Sequence, residues 1–139
     1  MNNPRNTTPE TIINEIRQKS AEDAAVAERI LEWWKRFFAP KCNPKSIGLE
    51  FGEFGRAPIG FHPINIANDG KLYLQMGNIA DMMRSKQDLP EFRRRLNQIS
   101  GVIDNPTFPW IQLRSLAHDE VLNKFLELME WLIERLRKF

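Results

Sequence analysis

Glu50, Glu53 and Asp81 are the carboxylates whose placement bears most directly on catalysis. A metal-dependent hydrolase or nuclease needs an acid and then an acid-x-lysine pair on adjacent sheet positions. Two carboxylates then hold a divalent cation while the lysine orients water. Asp69-Gly70-Lys71 is the only Asp-x-Lys in the strand-forming region, and its aspartate belongs to a turn. The separation of Glu50 and Glu53 sends them to opposite faces of a strand unless a bulge intervenes. Solvated charges explain the three acids more simply. No metal or other cofactor is expected, and the metal-dependent enzyme stands as the alternative functional class.

Nucleophilic catalysis needs a Ser or Cys beside a His that a third group orients. Cys42 sits in Pro40-Lys41-Cys42-Asn43-Pro44-Lys45, where two lysines favour its thiolate, with His62 or His118 as the available bases. No spacing ties them together: His62 reads as a packed strand residue and His118 as exposed at the start of the last helix. Gly48, Gly52, Gly55 and Gly60 form no phosphate loop, because no Gly-Lys-Ser/Thr opens a helix and the Gly-x-Gly-x-x-Gly spacing is absent. Bulges and turns explain them.

Binding chemistry is better represented. The formal charge is only +2, yet Lys35, Arg36, Lys41 and Lys45 fall within eleven residues, and Arg84, Lys86, Arg93, Arg94 and Arg95 within twelve. Brought to one face, Lys41, Lys45, Arg84, Lys86 and the three consecutive arginines would track a phosphate backbone. Set against this, three successive arginines spread over about 200° of a helix, so at most two point at one duplex. Nine Phe to one Tyr also reads as core filling rather than a stacking surface. Trp33-Trp34 and Phe37-Phe38 are adjacent pairs about 100° apart on a helix, which a single buried face cannot hide. Trp34, Phe38 and Trp131 are therefore the expected interface residues, toward a protein partner or a second copy in a homodimer.

The elements that must position these residues fit one domain. At 139 residues there is room for one core. One cysteine and two histidines exclude a disulfide scaffold and a Cys/His zinc fold. No apolar run approaches the roughly 18 residues that span a bilayer, and the polar first ten residues with Pro4 and Pro9 do not read as a signal peptide, so no membrane association and a cytoplasmic location are expected. Six of seven glycines lie between Gly48 and Gly77, so the chain reads helical, then β, then helical.

Thr8-Pro9-Glu10 opens a helix carrying Ile12, Ile13 and Ile16, with residues 1–20 forming an N-terminal helical arm. Lys19 and Asp23 interrupt that stripe, and Ser20 with Asp23 resembles a capping box. We read a break near Lys19 to Ala21 and a second helix to about Phe38, the alternative being one continuous helix with an exposed polar interruption. Apolar alternation at Ile47, Leu49 and Phe51, at Ile59 and Phe61, at Ile64 and Ile66, and at Leu72, Leu74 and Met76 predicts strands. Pro58 and Pro63 place the middle run at an edge or a bulge. Asn68-Asp69-Gly70 predicts a hairpin turn. Asp88 with Glu91 starts another helix that Gly101 stops. Trp110, Ile111 and Leu113 read as extended, and Ser115 or His118-Asp119 caps a last helix whose stripe runs from Leu122 to Phe139 and packs on the Trp33/Phe37 helix. The expected fold is α+β: a small antiparallel sheet of about three strands against three or four helices.

From Gly70 onward the order of signals is Gly70-Lys-Leu-Tyr-Leu-Gln-Met, an arginine-bearing helix ending Leu96-Asn97-Gln98-Ile99-Ser100-Gly101, then Pro109-Trp-Ile-Gln-Leu, Ser115-Leu116 and a helix holding Glu130-Trp131. This half of the chain resembles an uncharacterised bacterial, including cyanobacterial, domain that sometimes accompanies restriction-type nuclease regions. The resemblance implies an accessory or binding role near nucleic acid and assigns no catalytic residue. Together these readings point to a non-catalytic binding domain that uses aromatic helix faces for protein association and basic segments for nucleic acid.

Overall fold

A computed structural model describes residues 8–37, 41–43, 45–49, 64–83, 85 and 87–137. The fold is α+β. Its first helix, α1 (Pro9–Lys19), starts as its residue types require: the Thr8 hydroxyl accepts the Thr11 amide, Pro9 occupies the first turn, and Glu10 lies near the positive helix end. Ile12, Ile13 and Ile16 are buried, so α1 packs as a docked helix. Ser20 ends it and begins α2 (Ala21–Trp34). The extended Ser20 backbone still donates to the Ile16 carbonyl while its hydroxyl accepts the Asp23 amide at 3.1 Å. The two-helix reading is therefore the correct one. The helix itself stops at Trp34, short of Phe38, which lies outside the described residues.

The sheet is larger than expected. Five antiparallel strands follow one another in chain order: β1 (Lys41–Asn43), β2 (Ser46–Leu49), β3 (Ile64–Ala67), β4 (Lys71–Leu74) and β5 (Trp110–Gln112). Strand β1 escapes a reading by apolar alternation because it is three residues long and lies between prolines. The expected Ile59–Phe61 run lies outside the described residues. The β3–β4 hairpin forms over Asn68-Asp69-Gly70, where the Gly70 amide donates to the Ala67 carbonyl at 3.1 Å and Gly70 alone takes a positive φ, +85°. Asn68 and Asp69 keep negative φ, so the turn is of the three-residue kind that ends on a left-handed glycine.

Met76 belongs not to a strand but to a short helix, α3 (Met76–Met82), entered through Gln75. Next, α4 (Asp88–Asn97) begins without a side-chain cap: Asp88 is already helical and lies 3.8 Å from Arg135, while Glu91 turns toward Arg94 and Arg95 instead of back to the helix start. Gly101, at φ +94°, permits the reversal after α4. Strand β5 runs directly into a 3-10 turn, Leu113–Leu116, and α5 (Asp119–Arg137) completes the described chain, the Leu122 amide donating to the His118 carbonyl at 2.9 Å.

The core lies on one face of the sheet, where Ile47, Leu49, Ile64, Ile66, Leu72, Leu74 and Ile111 meet the helices. Helix α1 packs on α2 and reaches β2, α2 and α5 both pack on the 3-10 turn, and α4 packs on α5. The expected contact of α5 with α2 is present: Trp33 Nε1 donates to Glu130 at 3.1 Å and Arg29 pairs with Asp119 at 2.9 Å. One buried carboxylate joins the layers. Asp23, 2% exposed, accepts the Arg114 amide at 2.6 Å and the Gln112 amide nitrogen at 2.9 Å. Removing it takes the acceptor from the Arg114 amide and one of two acceptors from Gln112. We predict that Asp23→Ala lowers the unfolding free energy by about 3 kcal/mol in urea titration. A loss below about 1 kcal/mol would show that water replaces the carboxylate without penalty.

Candidate functional site

The three consecutive arginines of α4 are each held by neighbours. Arg93 donates to Asp104 at 3.0 Å and to the Pro106 carbonyl at 2.9 Å, tying α4 to the loop before β5. Arg94 grips Glu91 through two hydrogen bonds, at 3.0 and 2.6 Å. Arg95 donates to the same carboxylate at 2.8 Å and lies over the Trp131 ring, 4.8 Å from its centre. The hydrogen bonds from Arg94, then those from Arg95, hold the Glu91 carboxyl far below its ordinary range, at about 2. The arginine run is thus paired within the chain at its surface, Arg94 remaining exposed. Lys45 is exposed at the β1–β2 turn, and Lys41 lies in β1 opposite Gly48. Arg84 and Lys86 lie outside the described residues.

The aromatic helix face needs correction. Trp34 is 0% exposed and Trp33 is buried beside it, their ring centres 5.9 Å apart. Adjacent positions are both covered because α2 has neighbours on two sides, α1 on one and the 3-10 turn with α5 on the other. Trp34 is therefore a core residue and cannot contact a partner. Trp131 is half-buried with two guanidinium groups on its ring, Arg95 at 4.8 Å and Arg135 at 5.1 Å, so charge covers its aromatic surface.

The catalytic candidates fare differently. Glu50, Glu53 and His62 lie outside the described residues, and Asp81 is exposed on α3. Among the described residues no group of three or more His, Cys, Asp or Glu could hold a metal ion. The environment of Cys42 is opposite to the one expected from its flanking lysines: burial first, then the charge of Glu10, pushes the thiol upward and away from the thiolate.

The surface that sequence reasoning passed over is the outer face of the sheet. Strand residues alternate sides, so with Leu72, Leu74 and Ile111 in the core, Lys71, Tyr73 and Trp110 point outward, while Gln112 at the end of β5 reaches Asp23 and the Gly70 carbonyl. The register sets Trp110 beside Tyr73, Tyr73 beside Asn65, and Asn65 beside Gly48. Two further hydrogen bonds, from the Leu74 amide to the Pro109 carbonyl and from the Met76 amide to the Thr107 carbonyl, carry the pairing past β5 and set Phe108 beside Gln75. Phe108 is 49% exposed and is presented by a turn in which Asn105 Oδ1 accepts the Thr107 and Phe108 amides. The Lys71 ammonium lies 4.5 Å above the Trp110 ring.

Between these side chains runs a shallow groove of about 500 Å³ lined by strands and turns, including Lys45, Asn65, Tyr73, Gln75 and Phe108. The Tyr73 hydroxyl is pushed upward by burial and then by Asp69, to which it donates at 3.3 Å, so it remains a neutral donor at physiological pH. The available signal was the outward half of the alternation, Lys71-x-Tyr73 and Phe108-x-Trp110.

No family model, curated protein or solved structure matches this chain.

The shared Glu91 carboxylate has a consequence for acid stability. Its folded value of about 2 lies below its ordinary value of 4.5, so the unfolded chain takes up this proton first on acidification. The stability it contributes is full above pH 4.5 and is lost as pH falls toward 2. In acid titrations followed by circular dichroism, Glu91→Gln should flatten the pH dependence within that window and leave the region above it unchanged. An unaltered acid limb would show that the arginine pairs do not couple to folding.

Proposed function

We propose that this chain is a non-catalytic binding domain that meets its partner through the outer face of the sheet. The reading rests on Tyr73 and Phe108, which line one groove on the side of the sheet opposite the core, with Trp110 paired beside Tyr73. Aromatic side chains on a rigid strand supply large contact area at little conformational cost, which is why they dominate binding hot spots. The aromatic part of the surface thus comes from strands rather than from α2. Lys45 lines the same groove and Lys71 lies over the Trp110 ring beside it. The resemblance of residues 70–139 to an accessory domain agrees with a binding role.

The experiment compares two phenylalanines. If Phe108 serves a partner rather than the fold, Phe108→Ala changes the unfolding free energy by less than about 1 kcal/mol. Phe92→Ala, at a position 0% exposed, costs about 3–5 kcal/mol. Comparable losses at both positions would make Phe108 a packing residue and remove the support for this reading.

A further inference from the structure

We infer that two copies of this chain associate by exchanging α1, each first helix docking on the α2 of the other copy. The connection between the helices carries this. A single residue, Ser20, separates α1 from α2, and both of its backbone groups already make helical bonds: its amide donates to the Ile16 carbonyl at 2.8 Å and its carbonyl accepts the Ala24 amide at 3.1 Å. Its extended backbone, φ −159° and ψ 114°, is what turns the amides of residues 21–23 away from the carbonyls of residues 17–19. Rotation at this one residue restores those bonds and leaves one helix from Pro9 to Trp34. Neither Gly nor Pro lies between Pro9 and Pro40 to oppose it.

The apolar pattern suits the straight helix as well as the bent one. Ile13, Ile16, Ser20, Ala24, Ala27 and Leu31 follow one another at three or four residues, the spacing of a single helical face. Within one chain α1 folds back along α2, and Ile13 and Leu31 line the groove between them. Straightening uncovers both halves of that face, and a second copy covers them again. The pairing is symmetric: Arg17 meets Glu28, while Glu10 and Lys35 line the same groove, each pair centred between Glu22 and Asp23. Two straight antiparallel helices with a two-fold axis at that centre recreate the same pairs between copies, Arg17 of each on Glu28 of the other. Ser20 and Ala24, beside the axis, are small enough for close approach. Asp23 keeps Arg114 and Gln112 of its own chain, since α2 does not move, and Asn68 donates to the Glu15 of the other copy in place of its own. The closed form alone has the Ser20 cap, whose hydroxyl accepts the Asp23 amide at 3.1 Å.

The test refolds the full chain at about 10 µM and at about 1 mM and reads its mass by sedimentation. A dimer should form at the higher concentration. Ser20→Ala removes the cap that only the closed form has, in both copies, and should raise the association constant at least about tenfold. Exchange is read directly in a Cys42→Ser background. Chains carrying Arg17→Cys and chains carrying Glu28→Cys are unfolded, mixed, refolded together and oxidised. Disulfides between positions 17 and 28 should then outnumber those joining 17 to 17 or 28 to 28, because α1 of one copy lies on α2 of the other. A wild-type chain that stays monomeric at the higher concentration overturns the inference. So does a dimer in which the 17-to-28 products show no excess. A dimer that Phe108→Ala abolishes and Ser20→Ala leaves unchanged also overturns it, since the copies would then meet through the sheet.

Discussion

The Asp23 carboxylate is the constraint on which the layers depend. It sits in the first turn of α2, buried, and takes the backbone amide of Arg114 and the side-chain amide of Gln112, with the Arg114 guanidinium at 3.6 Å. Gln112 also donates to the Gly70 carbonyl at 3.0 Å. One acid therefore joins the start of a helix, the end of β5 and the tip of the β3–β4 hairpin. A side chain at Gly70 would fall 2.7 Å from Asp23 and 2.8 Å from Gln112, so glycine is required there for space as well as for its positive φ. Pinning Gln112 fixes the phase of β5, and with it the outward placement of Trp110 and Phe108. A slip by one residue would turn those rings into the core.

Several of the chain's arginines hold its own geometry. Arg93 holds the 104–106 loop that leads to Phe108, Arg94 and Arg95 share Glu91, and Arg135 joins Arg95 on Trp131 while approaching Asp88. The run of arginines braces α4 against α5 and the loop before β5. The sheet's outer face carries fewer charges, and two of them, Lys45 and Lys71, are lysines.

Much of the fold was legible because local chemistry settles it. Thr8, Ser20 and Gly70 mark boundaries through caps and backbone freedom that need no tertiary context. The stripe along α5 has one solution. Strand β1 was not legible, since its stability comes from pairing with β2 rather than from a pattern of its own. Helix α3 was hidden by an apolar alternation that continues through Met76, two residues past the end of β4. The exposure of Trp34 was misjudged because helical periodicity assumes one covering layer, whereas α2 has two. At the candidate site, residue totals were the obstacle: one Tyr among nine Phe says nothing about which ring points outward, and only the register set by the hairpin supplies that.

The Ile103–Trp110 bridge also closes one edge of the sheet. Two hydrogen bonds, at 2.8 and 3.2 Å, consume the backbone groups that Trp110 directs away from β4. By the alternation of an antiparallel ladder, the remaining outward groups of β5 belong to Gln112, after which the chain winds into the 3-10 turn. A strand from another molecule would find almost no ladder to extend on this side. This edge is thereby closed to strand addition, even though a half-exposed phenylalanine stands only two residues from that bridge.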